Sequence, residues 1–134
     1  MKTIDQAIAQ VLRKEKKVLA GYLYGSTARG TARVDSDIDV AIVVKAGTRI
    51  PLRYPERLAI LLERSLAGKR TVDVRILNET PVRFRFQVLK EGRRVFERSP
   101  RERVRFETYA TQMYYDMKPM HDLYESLRAR RYGV

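Results

Sequence analysis

The chain contains no cysteine and one histidine, His121, in 134 residues. The first absence excludes disulfides, thiol nucleophiles and thiolate-held zinc or iron–sulfur centres, and the second excludes a multi-histidine metal centre. Any bound metal must therefore be held by carboxylates, which selects hard ions such as Mg2+, with Mn2+ as the substitute. Long apolar runs are also missing. No stretch approaches the roughly 18–20 apolar residues of a membrane-spanning helix, and Met1–Lys17 places acidic and polar residues where a secretory signal needs a continuous apolar segment. The expected address is the cytoplasm, with no membrane partner. The scarce charge is negative: 16 Asp+Glu stand against 28 Lys+Arg, a formal net charge of +12. Residues 1–80 and 81–134 each carry a surplus of six positive charges. There is thus no basic tail, and the charge as a whole calls for a polyanionic partner.

The length fits one domain, residues 1–134, and 44% hydrophobic residues supply enough apolar surface for a core. Ile4, Ala7, Ile8, Val11 and Leu12 recur at helical spacing and predict a cover helix over about 3–14. Val18–Tyr24 is an apolar run of strand length ended by Gly25-Ser26, and Asp37–Val44 reads as a buried strand with an acidic beginning. A helix follows at Tyr54–Leu66 with Gly68 as its stop, then an alternating strand at Thr71–Leu77. Pro81–Glu91 alternates as a strand would, but Pro81 and Gly92 frame it as a helix. Helix is the preferred reading. Arg93–Arg98 reads as a short strand, and Ser99-Pro100-Arg101-Glu102 as a capping box that opens a C-terminal helical region over about 99–130. Pro119 is expected to kink or break that region into two segments. The predicted class is α/β (α+β), a small sheet flanked by helices.

Three carboxylates stand where an ordinary strand does not put them. Asp37 and Asp39 are two residues apart and share a strand face while Ile38 and Val40 point the other way; Asp73 lies mid-strand, opposite Val72 and Val74. Adjacent strands lie about 4.8 Å apart, so Asp73 can join the pair. Such a cluster repels itself unless a cation neutralises it, and a pair of divalent ions clamping a phosphoryl displacement is what it supports. Ahead of it, Gly25-Ser26 ends a buried strand and can open a short helix through Thr27, Ala28 and Arg29. A backbone turn of that kind admits a phosphate, and together the two features call for a nucleoside triphosphate.

Gly25-Ser26, ten residues, then Asp37-Ile38-Asp39 reads GSTARGTARVDSDID, and TVDVRIL follows with Asp73. This resembles the GS-x10-DxD signature of the nucleotidyltransferase superfamily that includes DNA polymerase beta, with its third acidic residue on a later strand. Within it the chain is similar to the minimal nucleotidyltransferases (MNT), a group that includes the MntA-like antitoxins encoded beside HEPN-type RNase toxins. The segments VLKEGRRVFERSPRERVRFE and Tyr115–Pro119 extend the likeness into the distal half by texture. The resemblance implies a polymerase-beta-like fold with a small mixed sheet. It implies that Gly25 and Ser26 hold the triphosphate of ATP, that Asp37 and Asp39 ligate two Mg2+ ions, and that Asp73 ligates the catalytic ion and helps deprotonate the acceptor. Arg29 and Arg33 are candidates for phosphate contact.

A lone catalytic domain has no second module to present an acceptor, so the resemblance implies a macromolecular one: a hydroxyl, tyrosine in the antitoxin branch, on a cognate HEPN toxin that receives AMP. RNA enters this reading through the toxin. Two other readings stay open on the same residues. One is an antitoxin that neutralises by contact with its nucleotide site idle. The other is an RNA-binding domain, suggested by the charge and by Tyr109, Tyr114, Tyr115, Tyr124 and Tyr132. His121 reads as a surface or interface histidine, Met113, Met117 and Met120 as core or interface filling, and the arginines of SPRERVR as a solvated helix start.

Overall fold

Thr3 and Gln6 start the first helix by serving each other: the Gln6 N–H donates to Thr3 Oγ1 at 3.1 Å and the Thr3 N–H donates to Gln6 Oε1 at 3.0 Å. In the computed structural model, which describes residues 2–30 and 36–132, this helix is α1 (Ile4–Lys14). It is followed by β1 (Val18–Tyr24), α2 (Gly25–Arg29), β2 (Ile38–Val44), α3 (Tyr54–Ser65), β3 (Val72–Ile76), a 3-10 turn (Leu77–Glu79), α4 (Val82–Glu91), β4 (Arg93–Glu97) and α5 (Pro100–Tyr132). The sheet order is β3-β2-β1-β4, with β1 antiparallel to both neighbours and β2 parallel to β3. Only the parallel pair needs a crossover, and α3 supplies it. The mixed sheet, its flanking helices and the C-terminal helix agree with the expected class. Among the described residues no helix is long and apolar enough to cross a membrane.

The pleat of β2 divides the core. Ile38, Val40 and Ile42 face the layer built from α1 and α3, where Ile8, Leu12, Leu58 and Leu62 are fully buried. Ala41 and Val43 face the other layer, with Tyr22, Leu77 and Val88 and the partly buried Phe84 and Phe106 of α4 and α5. Both faces of the sheet are thus covered, and β2 reads as a nearly unbroken apolar run for that reason. Asp39 is the exception within it.

Arginine guanidinium groups close the backbone where helices end. Arg98 donates to the carbonyls of Leu12, Arg13, Glu15 and Val18 at 2.9–3.1 Å, tying the end of α1 to β1 and to the segment after β4. Arg85 holds the carbonyls of Asn78 and Thr80, and Arg70 holds that of Ser36. In SPRERVR, Arg103 is not solvated: its side chain bonds Glu97 at 2.7 Å and Glu107 at 3.1 Å, and Glu107 accepts from the buried Tyr22 hydroxyl at 3.0 Å. Burial first, and Glu107 second, hold that hydroxyl protonated far above the ordinary tyrosine range.

Two local expectations change, and a third, the helix at Pro81–Glu91, holds. β2 begins at Ile38, so Asp37 lies just before the strand instead of inside it. Pro81–Glu91 resolves as helix, and Gly92 ends it for a reason the sequence does not display: its φ is an ordinary −78°, but a Cβ there would strike the Val88 carbonyl and lie 2.9 Å from the Leu23 carbonyl. Pro119 does not divide α5, which runs unbroken from Pro100 to Tyr132. The carbonyl that Pro119 leaves without a donor belongs to Tyr115, and residues 115–120 are all exposed, so water can serve it.

The end of α3 carries a small defect. Gly68 N–H closes on the Glu63 carbonyl at 2.9 Å, and this return places Ala67, an exposed non-glycine, at φ 60°. A left-handed residue with a Cβ costs roughly 1–2 kcal/mol, part of which glycine gives back through its freer unfolded chain. Ala67→Gly is therefore expected to raise the unfolding free energy by about 0.5–1 kcal/mol, read as a melting temperature about 2–4 °C higher; an unchanged or lower value contradicts this assignment.

Candidate functional site

The site lies where the end of β1 meets the beginnings of β2 and β3. Because Ile38 and Val40 are committed to the α1/α3 layer, the side chain between them must point to the other side, and this is Asp39. Its cross-strand partners are Tyr24 on β1 and Asp73 on β3. The parallel register thus sets two carboxylates side by side on neighbouring strands. Asp73 and Arg75 share the exposed face of β3, opposite the buried Val72, Val74 and Ile76.

The three acids are electrically coupled. Asp39 is held above the ordinary carboxylate value of 3.8, first by burial, then by the charges of Asp73 and Asp37, with partial relief from Arg75. The outer two have partners of their own. Thr71 Oγ1 donates to Asp37 Oδ1, and Arg75 Nε lies 3.6 Å from Asp73 Oδ2. Arg75 also sits over the Phe84 ring at 5.4 Å, and Phe84 meets the edge of Tyr24 at 5.5 Å and 88°. Burial and the neighbouring Asp39 push the Tyr24 hydroxyl up to about 12, so it remains a neutral donor beside the cluster.

At Gly25 the chain leaves β1 with φ 67° and passes directly against Asp39. A Cβ at this position would stand 2.6 Å from Asp39 Oδ2. Only glycine meets both requirements. Ser26 and Thr27 follow in α2, whose start has no side-chain cap. Thr27 Oγ1 is a buried hydroxyl without a hydrogen-bond partner among the described residues, a polar orphan of the kind that a bound ligand satisfies.

Of the residues singled out by the sequence, Gly25, Asp39 and Asp73 come together directly, and Asp37 is near enough to shift Asp39. Ser26 lies in the first turn of α2. Arg29 occupies the last turn of α2, is exposed, and forms no ion pair with the cluster. Arg33 lies outside the described residues. The sequence reading did not single out Arg75, Thr27, Tyr24 or Phe84. Arg75 was detectable two residues after Asp73 in a strictly alternating strand; the other three depend on packing.

The donors suit a hard divalent cation chemically: they are all carboxylate oxygens, and the central one is destabilised by charges that a cation would neutralise. Among the described residues, however, no group of three histidine, aspartate or glutamate side chains stands in a metal-holding arrangement. Two of the three carboxylates have partners within the chain: Thr71 engages Asp37 and Arg75 engages Asp73.

A family model described as polymerase beta nucleotidyltransferase matches residues 6–101. Among solved structures, a toxin–antitoxin complex with AMP-PNP contains a chain that superimposes with a TM-score of 0.74 at 23% identity, over 93% of this chain and 98% of that one. The MNT antitoxin complex with the tri-AMPylated HEPN toxin of Shewanella oneidensis gives 0.70 at 20% identity, over 94% and 97%. A minimal nucleotidyltransferase structure gives 0.51 at 33% identity, over 63% and 85%. No curated protein matches the sequence.

Two substitutions probe this geometry. Gly25→Ala combines a left-handed Cβ with a collision at Asp39 and is expected to lower the unfolding free energy by about 1–2 kcal/mol; a melting temperature equal to wild type contradicts the close approach. Asp39→Asn removes a charge that burial and two neighbours oppose. The metal-free variant is expected to melt about 1–2 °C higher than wild type, and saturating Mg2+ should raise the melting temperature of wild type alone. A destabilised variant, or an equal Mg2+ response, contradicts the coupling.

Proposed function

The chain belongs to the polymerase beta nucleotidyltransferase family, and from that premise we propose that it transfers AMP from ATP to a hydroxyl, a tyrosine hydroxyl by preference, of a cognate HEPN toxin, and so acts as that toxin's antitoxin in the cytoplasm. The observation that carries this reading is the pairing of Asp39 with Asp73 across β2 and β3, with the Gly25 backbone against the Asp39 carboxylate. It joins the turn that opens α2 to a carboxylate pair at one point of the fold. The toxin–antitoxin complex with AMP-PNP and the complex with an AMPylated HEPN toxin support the nucleotide and the acceptor.

In this proposal Gly25 and Ser26 face the triphosphate, with the Thr27 hydroxyl as a further contact, and Arg29 reaches the phosphates from the end of α2. Asp37, Asp39 and Asp73 would hold two Mg2+ ions, with Mn2+ as the substitute. Bound there, these ions would neutralise charge on the phosphoryl oxygens. The side chain of Asp73 is 53% exposed, so a hydroxyl carried by another protein can reach it. Asp73 accepts the hydroxyl proton, the acceptor oxygen bonds to the α-phosphorus, and the bond from that phosphorus to the bridging oxygen breaks to release pyrophosphate. No histidine is required, in keeping with a chain that has one. Arg75 must loosen from Asp73 for that carboxylate to work, and the nucleotide phosphates offer its guanidinium a competing anion.

The test is incubation of the chain with the HEPN toxin, labelled ATP and Mg2+. AMP is expected on the toxin, and Asp37→Asn with Asp39→Asn should reduce labelling by about 1,000-fold or more. An unlabelled toxin sinks the catalytic reading. Neutralisation that survives the double substitution in full would identify an antitoxin that acts by contact alone.

A further inference from the structure

Helix α5 packs along one line and carries a second, apolar line beside it. At about 100° per residue, Arg103, Phe106, Ala110 and Tyr114 fall along the line that meets β1 and α4, and Ala110 is its buried centre. Tyr109, Met113, Met120, Leu123 and Leu127 form a second line about a quarter turn away, running for about 27 Å and interrupted midway by the exposed Asp116. Four of these five are open to solvent: Tyr109 60%, Met120 76%, Leu123 60% and Leu127 51%. Tyr124, at the edge of the line, is 61% exposed. At its N-terminal end the line enters a cleft of about 340 Å³ floored by Leu19, Val43 and Phe106. Stripe and cleft form one surface, and a contiguous exposed apolar patch rimmed by charged residues marks a site of interaction.

The charges at the ends of this surface choose its occupant. Lys45 and Arg105 stand at the cleft, with Glu102 as the one acid there. Arg128, Arg130 and Arg131 stand at the far end, with Glu125 before them. A second copy laid along the line would set cations on cations whether it ran parallel or antiparallel, and each copy carries +12. We propose that the second line of α5, together with the Leu19–Val43–Phe106 cleft, docks an apolar helix of an acidic protein whose carboxylates meet the basic ends. The proposal rests on the functional reading above in one respect, that this protein is the acceptor toxin. It adds the surface by which the toxin is held, which does not include the catalytic carboxylates.

The test uses the HEPN toxin as the probe and the full chain. Met120→Glu with Leu127→Glu alters two exposed side chains, so the variant should melt as wild type does. It is expected to bind the toxin at least about 30-fold more weakly. Arg130→Glu with Arg131→Glu should weaken binding several-fold and flatten its salt dependence. Sedimentation of the chain alone should show a monomer. Affinity that both pairs leave unchanged, a wild type that does not bind the toxin, or a dimer that the Met120/Leu127 pair dissociates each overturns the proposal. The Asp37→Asn/Asp39→Asn chain separates the two readings. It should bind the toxin as wild type does while transferring no AMP. Wild-type binding through α5 without transfer overturns catalysis and leaves the docking surface standing.

Discussion

Three carboxylates that would separate if free to do so are held at one end of this sheet, and most of the local structure follows from holding them there. The restraint is the pleat of β2. Ile38, Val40 and Ile42 are fully buried in the α1/α3 layer, so a slip of one residue would exchange that apolar row for Asp39 and Ala41 and place a charge in the core. Packing energy therefore fixes Asp39 beside Asp73 against their repulsion. Gly25 completes the constraint, because no other residue lets the chain pass the Asp39 carboxylate at φ 67°. Sites that concentrate unfavourable charge are the expected place for a fold to give up stability in exchange for chemistry.

Arg75 and Thr71 show how the molecule tolerates the cluster. Each attaches to one of the outer acids, while Asp39, the least exposed of the three, is held above the ordinary carboxylate value first by burial and then by its neighbours' charges. The Asp73–Arg75 pair is half exposed, and such pairs are weak, on the order of 0–1 kcal/mol. A weak internal partner suits the proposed site, in which it would be exchanged for a ligand.

The basic surplus has more than one origin. Arg70, Arg85 and Arg98 serve backbone carbonyls at chain reversals, work that a planar fork of donors does better than an ammonium group. This accounts for part of the excess of arginine over lysine, which composition alone assigns to nothing. Arg103 is a structural bridge between Glu97 and Glu107. What remains is spread over the surface and gathers at the ends of the exposed line of α5.

Elements were legible where periodicity or composition was strong: Val18–Tyr24 and Thr71–Leu77 as strands, Tyr54–Leu66 as helix, and the spacing from Gly25-Ser26 to Asp37 and Asp39. The register that pairs Asp39 with Asp73 was not legible, since strand order is a tertiary property. Pro119 misled because the cost of a helical proline depends on whether water reaches the freed carbonyl, which sequence does not state. Arg103 looked like surface charge for the same kind of reason: its partners lie four and six residues away. The central claim is that Gly25 and the three aspartates form one nucleotide and metal site. Counting Mn2+ by electron paramagnetic resonance in the presence of a non-hydrolysable ATP analogue tests it most directly. The account predicts two ions per wild-type chain and loss of both ions and analogue in Asp39→Asn; two ions bound by that variant with unchanged affinity would contradict it.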